Sequence, residues 1–268
     1  MRIVIITMED PLYTVPFIKE IIRHCEADVV ALAIASGGRM KIGKRRSRLV
    51  YVVSLFLIMG PIGFGRSILR TGLFNIRCRL SRWIPFVKSP SLGIFAAKRK
   101  IPVFRINSPN ARSFLKTLRE LKPDLIINQS QYILKEELLS IPPIGVLNRH
   151  NALLPRNRGR LTPFWVLFNG DKETGVSIHF VDKGIDSGKI VVQKRFPVPK
   201  NAGFWDIVKK NYEIAPAAML EAIDKLKRDE RDLQENDDAK ATYNGVPTLR
   251  DAWRYRMHRM RLIFRKQN

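Results

Sequence analysis

Three polar side chains within residues 145–188 have the types and spacing that could carry out acyl transfer. Asn148 and His150 lie two residues apart after a short apolar run, so they point to the same side of an extended segment. Asp186 lies in a separate loop flanked by glycines, which can bring a carboxylate close to the imidazole of His150. In an open α/β sheet, chemistry is usually placed where strands end in this way.

These residue types suit the attack of an amine on a formyl carbon, which creates a tetrahedral intermediate with a negatively charged oxygen. The side-chain amide of Asn148 and a protonated His150 can both donate to that oxygen. The carboxylate of Asp186 can orient the imidazole and accept a proton from the attacking amine, directly or through water. No serine or cysteine nucleophile is evident nearby, which favours direct transfer without an acyl-enzyme. His179, in the middle of a predicted strand, is interpreted as a packing residue.

The elements that must position these residues alternate between strand and helix. Apolar runs predict strands at 3–6, 27–35, 101–104, 123–128, 146–147, 176–181 and 190–196. Helical spacing of apolar residues predicts helices at 16–25, 108–121, 134–139 and 204–226, and a basic helix from 247 onward. This alternation predicts an α/β fold, a doubly wound and mostly parallel sheet with helices on both faces.

The composition indicates an anionic partner. The chain has 268 residues, a net charge of +24 and 45% hydrophobic residues. It can therefore bury a core and still attract nucleic acid, an anionic membrane surface or a phosphorylated substrate. The two cysteines, Cys25 and Cys78, have no metal-ligand spacing, so no metal site is predicted. Free thiols, and an N-terminal segment that resembles a strand more than a signal peptide, favour the cytoplasm.

An apolar and basic insert at 39–95 interrupts the alternating pattern. Residues 39–48 include six basic side chains, and residues 49–65 form a run of seventeen without a charge. No acidic residue occurs between Asp28 and Glu120, an interval that contains nineteen lysines and arginines. Most of the net charge of the chain therefore lies in and around this insert.

A membrane-surface contact through 39–82 is the favoured interpretation of this insert, because flanking basic residues suit an anionic lipid surface. The protein would then occupy a peripheral position on the cytoplasmic face of the membrane. A buried insert and a spanning helix are the alternatives, and the apolar run is short for spanning, which needs about 20 residues. Gly60 and Pro61 predict a kink within it.

The chain is predicted to divide into two parts. Residues 1–227 form a catalytic domain that the insert at 39–95 interrupts, and residues 228–268 form a charged linker followed by a basic amphipathic helix. That helix either docks on the core or contacts a membrane surface or RNA.

Several further segments surround the three polar residues. They are Asn148-Arg149-His150, Leu153-Leu154-Pro155, Arg158-Gly159, Asn169-Gly170, and the segments 174–179 and 184–188. As a set they resemble the folate-dependent formyltransferase family, which includes methionyl-tRNA formyltransferases, glycinamide ribonucleotide transformylases and sugar N-formyltransferases. The resemblance covers residues 1–35 and 100–225 and is strongest in the middle.

The resemblance implies a Rossmann-like formyltransferase fold and an enzyme that transfers a one-carbon group. It implies Asn148, His150 and Asp186 as catalytic residues and 10-formyltetrahydrofolate as the formyl donor. It also implies a set of pterin contacts from two loops: Gln131, Tyr132, Ile133, Leu134, Val181, Asp182 and Gly184. The sequence departs from the family at Asn151, where Pro or Gly is frequent, and at 39–95, where the connection is usually shorter and polar.

Three hypotheses remain for the acceptor. The favoured one is an amino sugar on a nucleotide or lipid carrier. Its phosphate would meet Asn151, Arg156, Arg158 and Arg160, unless these arginines are solvated loop charges. The second is methionyl-tRNA or another RNA-linked amine, although the methionyl-tRNA enzymes of the family carry a C-terminal barrel that the residues after 227 are too few to form. The third is an inactive protein of this fold that binds an anionic partner, which the intact set of three polar residues argues against.

Overall fold

The computed structural model describes residues 1–36, 48–84, 86–230 and 232–264, and residues 39–47 of the predicted basic insert lie outside this range. The strands are β1 (Ile3–Thr7), β2 (Val29–Ala35), β3 (Val103–Ile106), β4 (Leu125–Gln129), β5 (Gly145–His150), β6 (Arg158–Gly159), β7 (Glu173–Phe180), β8 (Ile190–Pro197) and β9 (Tyr243–Asn244). The helices are α1 (Thr14–His24), α2 (Arg48–Leu80), α3 (Leu92–Ala97), α4 (Arg112–Leu121), α5 (Glu136–Leu139), α6 (Thr162–Phe168), α7 (Phe204–Lys227) and α8 (Leu249–Phe264).

Seven of these strands form one sheet in the order β3-β2-β1-β4-β5-β7-β8. The pairs from β3 to β5 are parallel, and β7 and β8 are added in antiparallel orientation. The predicted doubly wound, mostly parallel sheet is therefore confirmed. The remaining two strands, β6 and β9, form a small parallel pair of their own.

Both faces of the sheet are covered by helices, which explains why its strands are almost continuously apolar. Along β1, Ile3 and Ile5 face a core shared with α1, α3 and α7, whereas Val4 and Ile6 face a core shared with α4. This alternation follows from the two-residue period of a strand. Each fully buried aliphatic side chain of this kind stabilises the fold by about 1.5–3 kcal/mol.

The insert forms the long helix α2, which breaks at Gly60 (φ 72°, ψ 164°) immediately before Pro61. The predicted kink is therefore confirmed. Only 17% of the most apolar 18-residue window of α2 is buried, so the helix is not the buried insert considered as an alternative. Its buried residue Ile58 packs in a third core with Phe204 of α7 and Tyr255 of α8.

The segment after α7 packs against the rest of the domain. Gln234 forms an isolated bridge with Ile190 of β8, and β9 pairs with β6. Helix α8 buries Ala252 and Tyr255 in the core that it shares with α2, α6 and α7. The terminal helix was predicted either to dock on the core or to contact a membrane surface or RNA. The structure shows docking on the core for the face that carries these two residues.

Gly63 and Gly65 provide a matched test of how closely α2 packs. A Cβ at Gly63 would lie closer than 3.0 Å to Nε1 of Trp205, whereas a Cβ at Gly65 would meet nothing within 4 Å. We expect Gly63→Ala to lower the free energy of unfolding by about 1–3 kcal/mol through overpacking. Gly65→Ala should raise it by up to about 1 kcal/mol, because alanine favours helix. Urea denaturation of both variants tests this, and equal effects would contradict the close packing.

Candidate active site

The carboxyl end of β5 brings together polar side chains from three neighbouring strands. β4 ends at Gln129 beside Asn148 of β5, and antiparallel β7 places His179 opposite the same Asn148. Nε2 of Gln129 donates to Oδ1 of Asn148 at 3.2 Å. Nδ2 of Asn148 lies 3.3 Å from Nε2 of His179. Asn148 is therefore held from both sides of its strand.

His150 and Asp186 form the second half of this cluster. His150 is buried, with Nδ1 3.4 Å from Oδ2 of Asp186. Its Nε2 lies 2.8 Å from the carbonyl oxygen of Asn157, and because a carbonyl only accepts, Nε2 must carry a proton. An imidazolium can donate on both sides, to Asn157 and to Asp186. Both ring nitrogens of His150 therefore have partners within the protein. From the sequence, His150 was instead expected to donate to the substrate oxygen.

Asp186 reaches the cluster through a left-handed backbone conformation (φ 51°) that aspartate tolerates better than most residues. Its Oδ2 accepts a hydrogen bond from the backbone N–H of Gly159 at 2.8 Å. Its Oδ1 lies 3.7 Å from Nε2 of His179. The predicted approach of this carboxylate to the imidazole of His150 is therefore present, and Oδ1 has the fewer hydrogen-bond donors of the two oxygens.

His179 does more than fill space in the core. Nδ1 lies 2.7 Å from the carbonyl oxygen of Phe180, so Nδ1 carries the proton of the neutral ring. Burial lowers the pKa of His179 to about 4 and outweighs the attraction of the nearby Asp186 carboxylate. The ring is therefore neutral near pH 7, and its unprotonated Nε2 accepts from Nδ2 of Asn148. This role depends on the pairing of β5 with β7, which places His179 directly opposite Asn148, and the sequence carries no local signal for that pairing.

Arg149 fixes the orientation of Asn148 from the other side. This buried guanidinium donates through Nε to Oε1 of Gln129 at 2.9 Å and through Nη2 to the hydroxyl of Tyr212 at 3.0 Å. Because a guanidinium can only donate, Oε1 of Gln129 must face Arg149, and its Nε2 must face Asn148. The oxygen of Asn148 consequently faces Gln129 and its amino group faces His179. Gln129 and Arg149 were not predicted as site residues.

The two loops predicted to contact the pterin lie side by side. The predicted residues are Gln131, Tyr132, Ile133 and Leu134 in the first loop, and Val181, Asp182 and Gly184 in the second. Leu134 and Val181 pack in the same core. Lys183 and Glu136 form an exposed ion pair at 2.8 Å between the loop and α5. In the second loop, the carboxylate of Asp182 accepts from the backbone of Gly184 at 3.0 Å, which shapes the turn before Asp186.

In the first loop, a hydrogen bond holds Tyr132 in place, whereas Ile133 and Gln131 are exposed. The hydroxyl of Tyr132 donates to the carbonyl oxygen of Asn107 at 2.6 Å. Ile133 is 79% exposed and Gln131 is also exposed, so both are accessible to a ligand. Of the seven predicted residues, Tyr132, Leu134 and Val181 thus pack against the same core, on the side of the sheet that α4 covers.

The residues predicted to meet an acceptor phosphate do not share one environment. Arg156 is exposed and donates to Asp171 at 2.8 Å. Arg160 lies near Tyr51 of α2, where its charge opposes the increase in the pKa of Tyr51 that burial causes. The backbone oxygen of Asn151 accepts from Asn211 at 3.1 Å.

Arg158 differs from the prediction because its side chain is completely buried. Its guanidinium donates to the Asp238 carboxylate and the Tyr243 hydroxyl, both at 2.6 Å, and to the backbone and side chain of Asn236, both at 2.9 Å. These partners leave it no access to a phosphate. Arg158 instead ties the loop after β5 to the segment that follows α7.

Among residues 1–36, 48–84, 86–230 and 232–264, no group of three or more histidine, cysteine, aspartate or glutamate side chains is arranged to hold a metal ion.

The fold is an open α/β sheet whose polar cluster lies where the parallel strands meet the antiparallel ones. A family model described as formyl transferase matches residues 86–223, which is more than half of the chain. The chain belongs to this family.

Relatives by sequence are methionyl-tRNA formyltransferases. The protein from Kosmotoga olearia is 36% identical over 152 residues, which cover 56% of this chain and 49% of that protein. The protein from Thermotoga maritima is 37% identical over 149 residues, which cover 55% and 48%. The chain thus spans about half the length of the curated relatives it matches.

Solved structures of two other enzyme types share the fold. Glycinamide ribonucleotide transformylase 1 from Symbiobacterium toebii superposes with a TM-score of 0.60 at 16% identity, over 88% of this chain and 94% of that chain. WlaRD, a sugar 3N-formyl transferase solved in the presence of dTDP and 5-N-formyl-THF, gives 0.57 at 17% identity, over 91% of this chain and 69% of that chain. At these identities the likeness shows the fold alone.

The low pKa of His179 makes a prediction about stability. In the unfolded chain this histidine takes up a proton near pH 6.5, whereas the buried ring stays neutral down to about pH 4. The unfolded state therefore binds more protons in that window, and the folded state loses up to about 3 kcal/mol as the pH falls through it. Urea denaturation at pH 7 and pH 4.5 should show a smaller loss in His179→Gln than in the wild type. His24→Gln, at an exposed histidine, is the control and should keep the wild-type loss.

Proposed function

We propose that this protein transfers the formyl group of 10-formyltetrahydrofolate to a primary amine by direct attack. The observation that carries the proposal is the convergence of Asn148, His150 and Asp186 at the end of β5, with distances that tie each of them to a partner. Membership in the formyl transferase family supports the same reaction class. The retained cluster also argues against an inactive binding protein.

The geometry suggests a role for each side chain. The amino group of Asn148 has two N–H bonds, one used by His179, so the second can donate to the oxyanion that develops on the formyl oxygen. Oδ1 of Asp186 accepts the proton that the amine releases as its new bond to the formyl carbon forms. The bond from that carbon to the folate nitrogen then breaks, and this nitrogen takes up the proton that Asp186 accepted. His150 holds Asp186 in place and places positive charge beside it in its protonated form.

The donor would bind against the two adjacent loops at 131–134 and 181–184. Their exposed members, such as Gln131 and Asp182, can meet a flat, polar ring, while Leu134 and Val181 support the loops from the core side. Exposed Ile133 offers an apolar contact at the edge of this surface.

Two acceptors have support. An aminoacyl-tRNA is favoured by the sequence relatives, which are methionyl-tRNA formyltransferases, and by a net charge of +24 that suits the phosphates of RNA. An amino sugar on a nucleotide or lipid carrier is favoured by the exposed apolar face of α2, which RNA phosphates do not require. The sequence comparisons favour the tRNA acceptor, which was the second hypothesis drawn from the sequence.

Turnover distinguishes these acceptors and tests the reaction itself. We expect tetrahydrofolate release when the protein is mixed with 10-formyltetrahydrofolate and either methionyl-tRNA or a dTDP-linked amino sugar, and one of the two should react far faster. Asp186→Asn and His150→Gln should each lower kcat by about 100-fold or more, since removal of an acid–base group or its support costs that much. Lack of turnover with every primary amine tested, together with lack of folate binding, would refute the proposal.

A substitution at Gln129 tests the orientation imposed on Asn148. Gln129→Glu keeps an acceptor for Arg149 but removes the donor to Asn148, so the Asn148 amide should turn its oxygen toward the reacting carbonyl. Loss of one donor to an oxyanion lowers kcat by about 100-fold or more. Gln129→Met is the control, because it removes the contact without reversing the amide, and it should lose less activity. Equal losses in steady-state kcat would contradict the imposed orientation.

A further inference from the structure

Helix α2 carries an apolar strip that no other described part of the chain covers. Leu69, Leu73, Ile76 and Leu80 recur every three or four residues, so they lie on one face of the helix. Their exposed fractions lie between 41% and 61%. We call these four residues the outer strip. Exposed contiguous apolar surface of this kind marks an interaction site in soluble proteins.

The outer strip is followed by aromatic side chains that are even more exposed. Trp83 is 85% exposed and Phe86 is 95% exposed, only a few residues after the end of α2. Burying either ring against the core would be favourable, yet both lie in solvent. Aromatic rings at this position favour a surface with an apolar interior and a polar boundary, such as a membrane interface.

The opposite face of α2 contacts the protein along both halves of the helix. In the first half, Ile58 is buried against α7 and α8, and Gly63 lies against Trp205. In the second half, Phe74 packs against the core under α1 and α3. A helix that left the domain to span a membrane would lose all these contacts. Among the described residues α2 is long and apolar enough to span by composition, but it lies along the surface.

Positive charge borders the outer strip. Arg66, Arg70 and Arg77 recur at helical spacing along one of its edges, Arg79 lies between Ile76 and Leu80, and Arg82 follows the end of α2. The sequence from 29 to 119 contains no acidic residue that could neutralise them. An apolar face bordered by arginines is the pattern of helices that lie in the interface of anionic membranes.

We propose that the outer strip of α2 docks the protein on an anionic lipid surface, with the helix parallel to the membrane plane. Leu69, Leu73, Ile76 and Leu80 enter the boundary between headgroups and acyl chains, and the bordering arginines pair with lipid phosphates. RNA would satisfy the arginines but leave the leucines in water. A second copy of the chain would bring two rows of arginines face to face.

The docking surface is connected to the candidate active site by direct contacts. Arg70 lies beside the hydroxyl of Tyr13. Burial raises the pKa of Tyr13, and the charge of Arg70 opposes part of this increase. The ring of Tyr13 stacks on Tyr212 at 4.6 Å, and the hydroxyl of Tyr212 accepts from Arg149, which orients Gln129. The membrane-facing helix and the end of β5 therefore share one wall of aromatic and arginine side chains.

Flotation of the full chain with vesicles tests the proposal without any assay of activity. We expect the protein to float with vesicles of phosphatidylglycerol and phosphatidylcholine and to stay in the dense fraction with phosphatidylcholine alone. Added salt should weaken binding, since it screens charges at the surface. The tryptophan emission should shift to the blue on addition of anionic vesicles, and Trp83→Phe should remove most of that shift.

Two pairs of substitutions separate the apolar and electrostatic contributions. Leu73→Ser with Ile76→Ser removes apolar area from exposed positions, so the fold is retained while flotation is lost. Arg66→Gln with Arg77→Gln should lower the partition coefficient about 30-fold, given the typical contribution of two near-surface charges. Arg112→Gln with Lys116→Gln, on exposed positions of α4 across the sheet, is the charge-matched control and should bind vesicles as the wild type does.

Three outcomes would overturn the proposal. The first is an absence of flotation at every lipid composition while the Arg66/Arg77 variant loses tRNA binding, which would assign the surface to RNA. The second is a stable dimer that Leu73→Ser with Ile76→Ser converts to a monomer without any vesicle binding, which would assign it to a second copy. The third is vesicle binding that the α4 control weakens as much as the α2 variants, which would show attraction by net charge alone.

Discussion

The carboxylate of Asp186 is the contact on which the candidate site depends. It accepts the backbone N–H of Gly159 after β5, faces Nδ1 of His150 at the end of β5, and approaches His179 of β7. These groups come from three separate segments, β5, β6 and β7, and a single charged group keeps them together because each of them offers a donor or a polar ring. The left-handed backbone at Asp186 shows that the loop is shaped to deliver this carboxylate. The neutral His179 and the donor-only Arg149 then orient Asn148 without adding a second negative charge.

The sequence predicted the sheet, most of its helices and three residues of the polar cluster, Asn148, His150 and Asp186, because each of these leaves a local trace. Apolar runs identify buried strands, and the polar residues that follow them identify the edge of the sheet. The short helices α3 and α6 were not predicted, since six and seven residues give too little periodicity. The roles of Gln129, Arg149 and His179 also could not be predicted, because they depend on which strands are neighbours in space. Arg158 was assigned to a ligand on charge alone, and only the packing shows that its partners are within the protein.

Helix α2 illustrates a different limit of local reasoning. Its composition favoured a surface contact but was also compatible with a core helix and a spanning segment, so the sequence left all three open. The contacts of Ile58 and Phe74 show that both halves of the helix pack on the same globular domain. The exposed surface of the helix includes the outer strip and its arginines. In the sequence, the uncharged run at 49–65 is the more conspicuous feature of this helix. In the structure, its second half is more informative, because apolar and basic residues there occupy separate faces.

Buried Arg158 makes the segment after α7 inseparable from the loop that carries the site. Asn236, which accepts from this guanidinium, also donates through its amide to the backbone oxygens of Asp186 and Gly188. Removal of 236–244 would leave a cation in the interior with no counter-charge, and the loop that holds Asp186 would lose its support. Grafting the segment from another family member would therefore work only if the 158 region is exchanged with it. Sequence changes in the 158 region and in 236–244 are therefore expected to occur together.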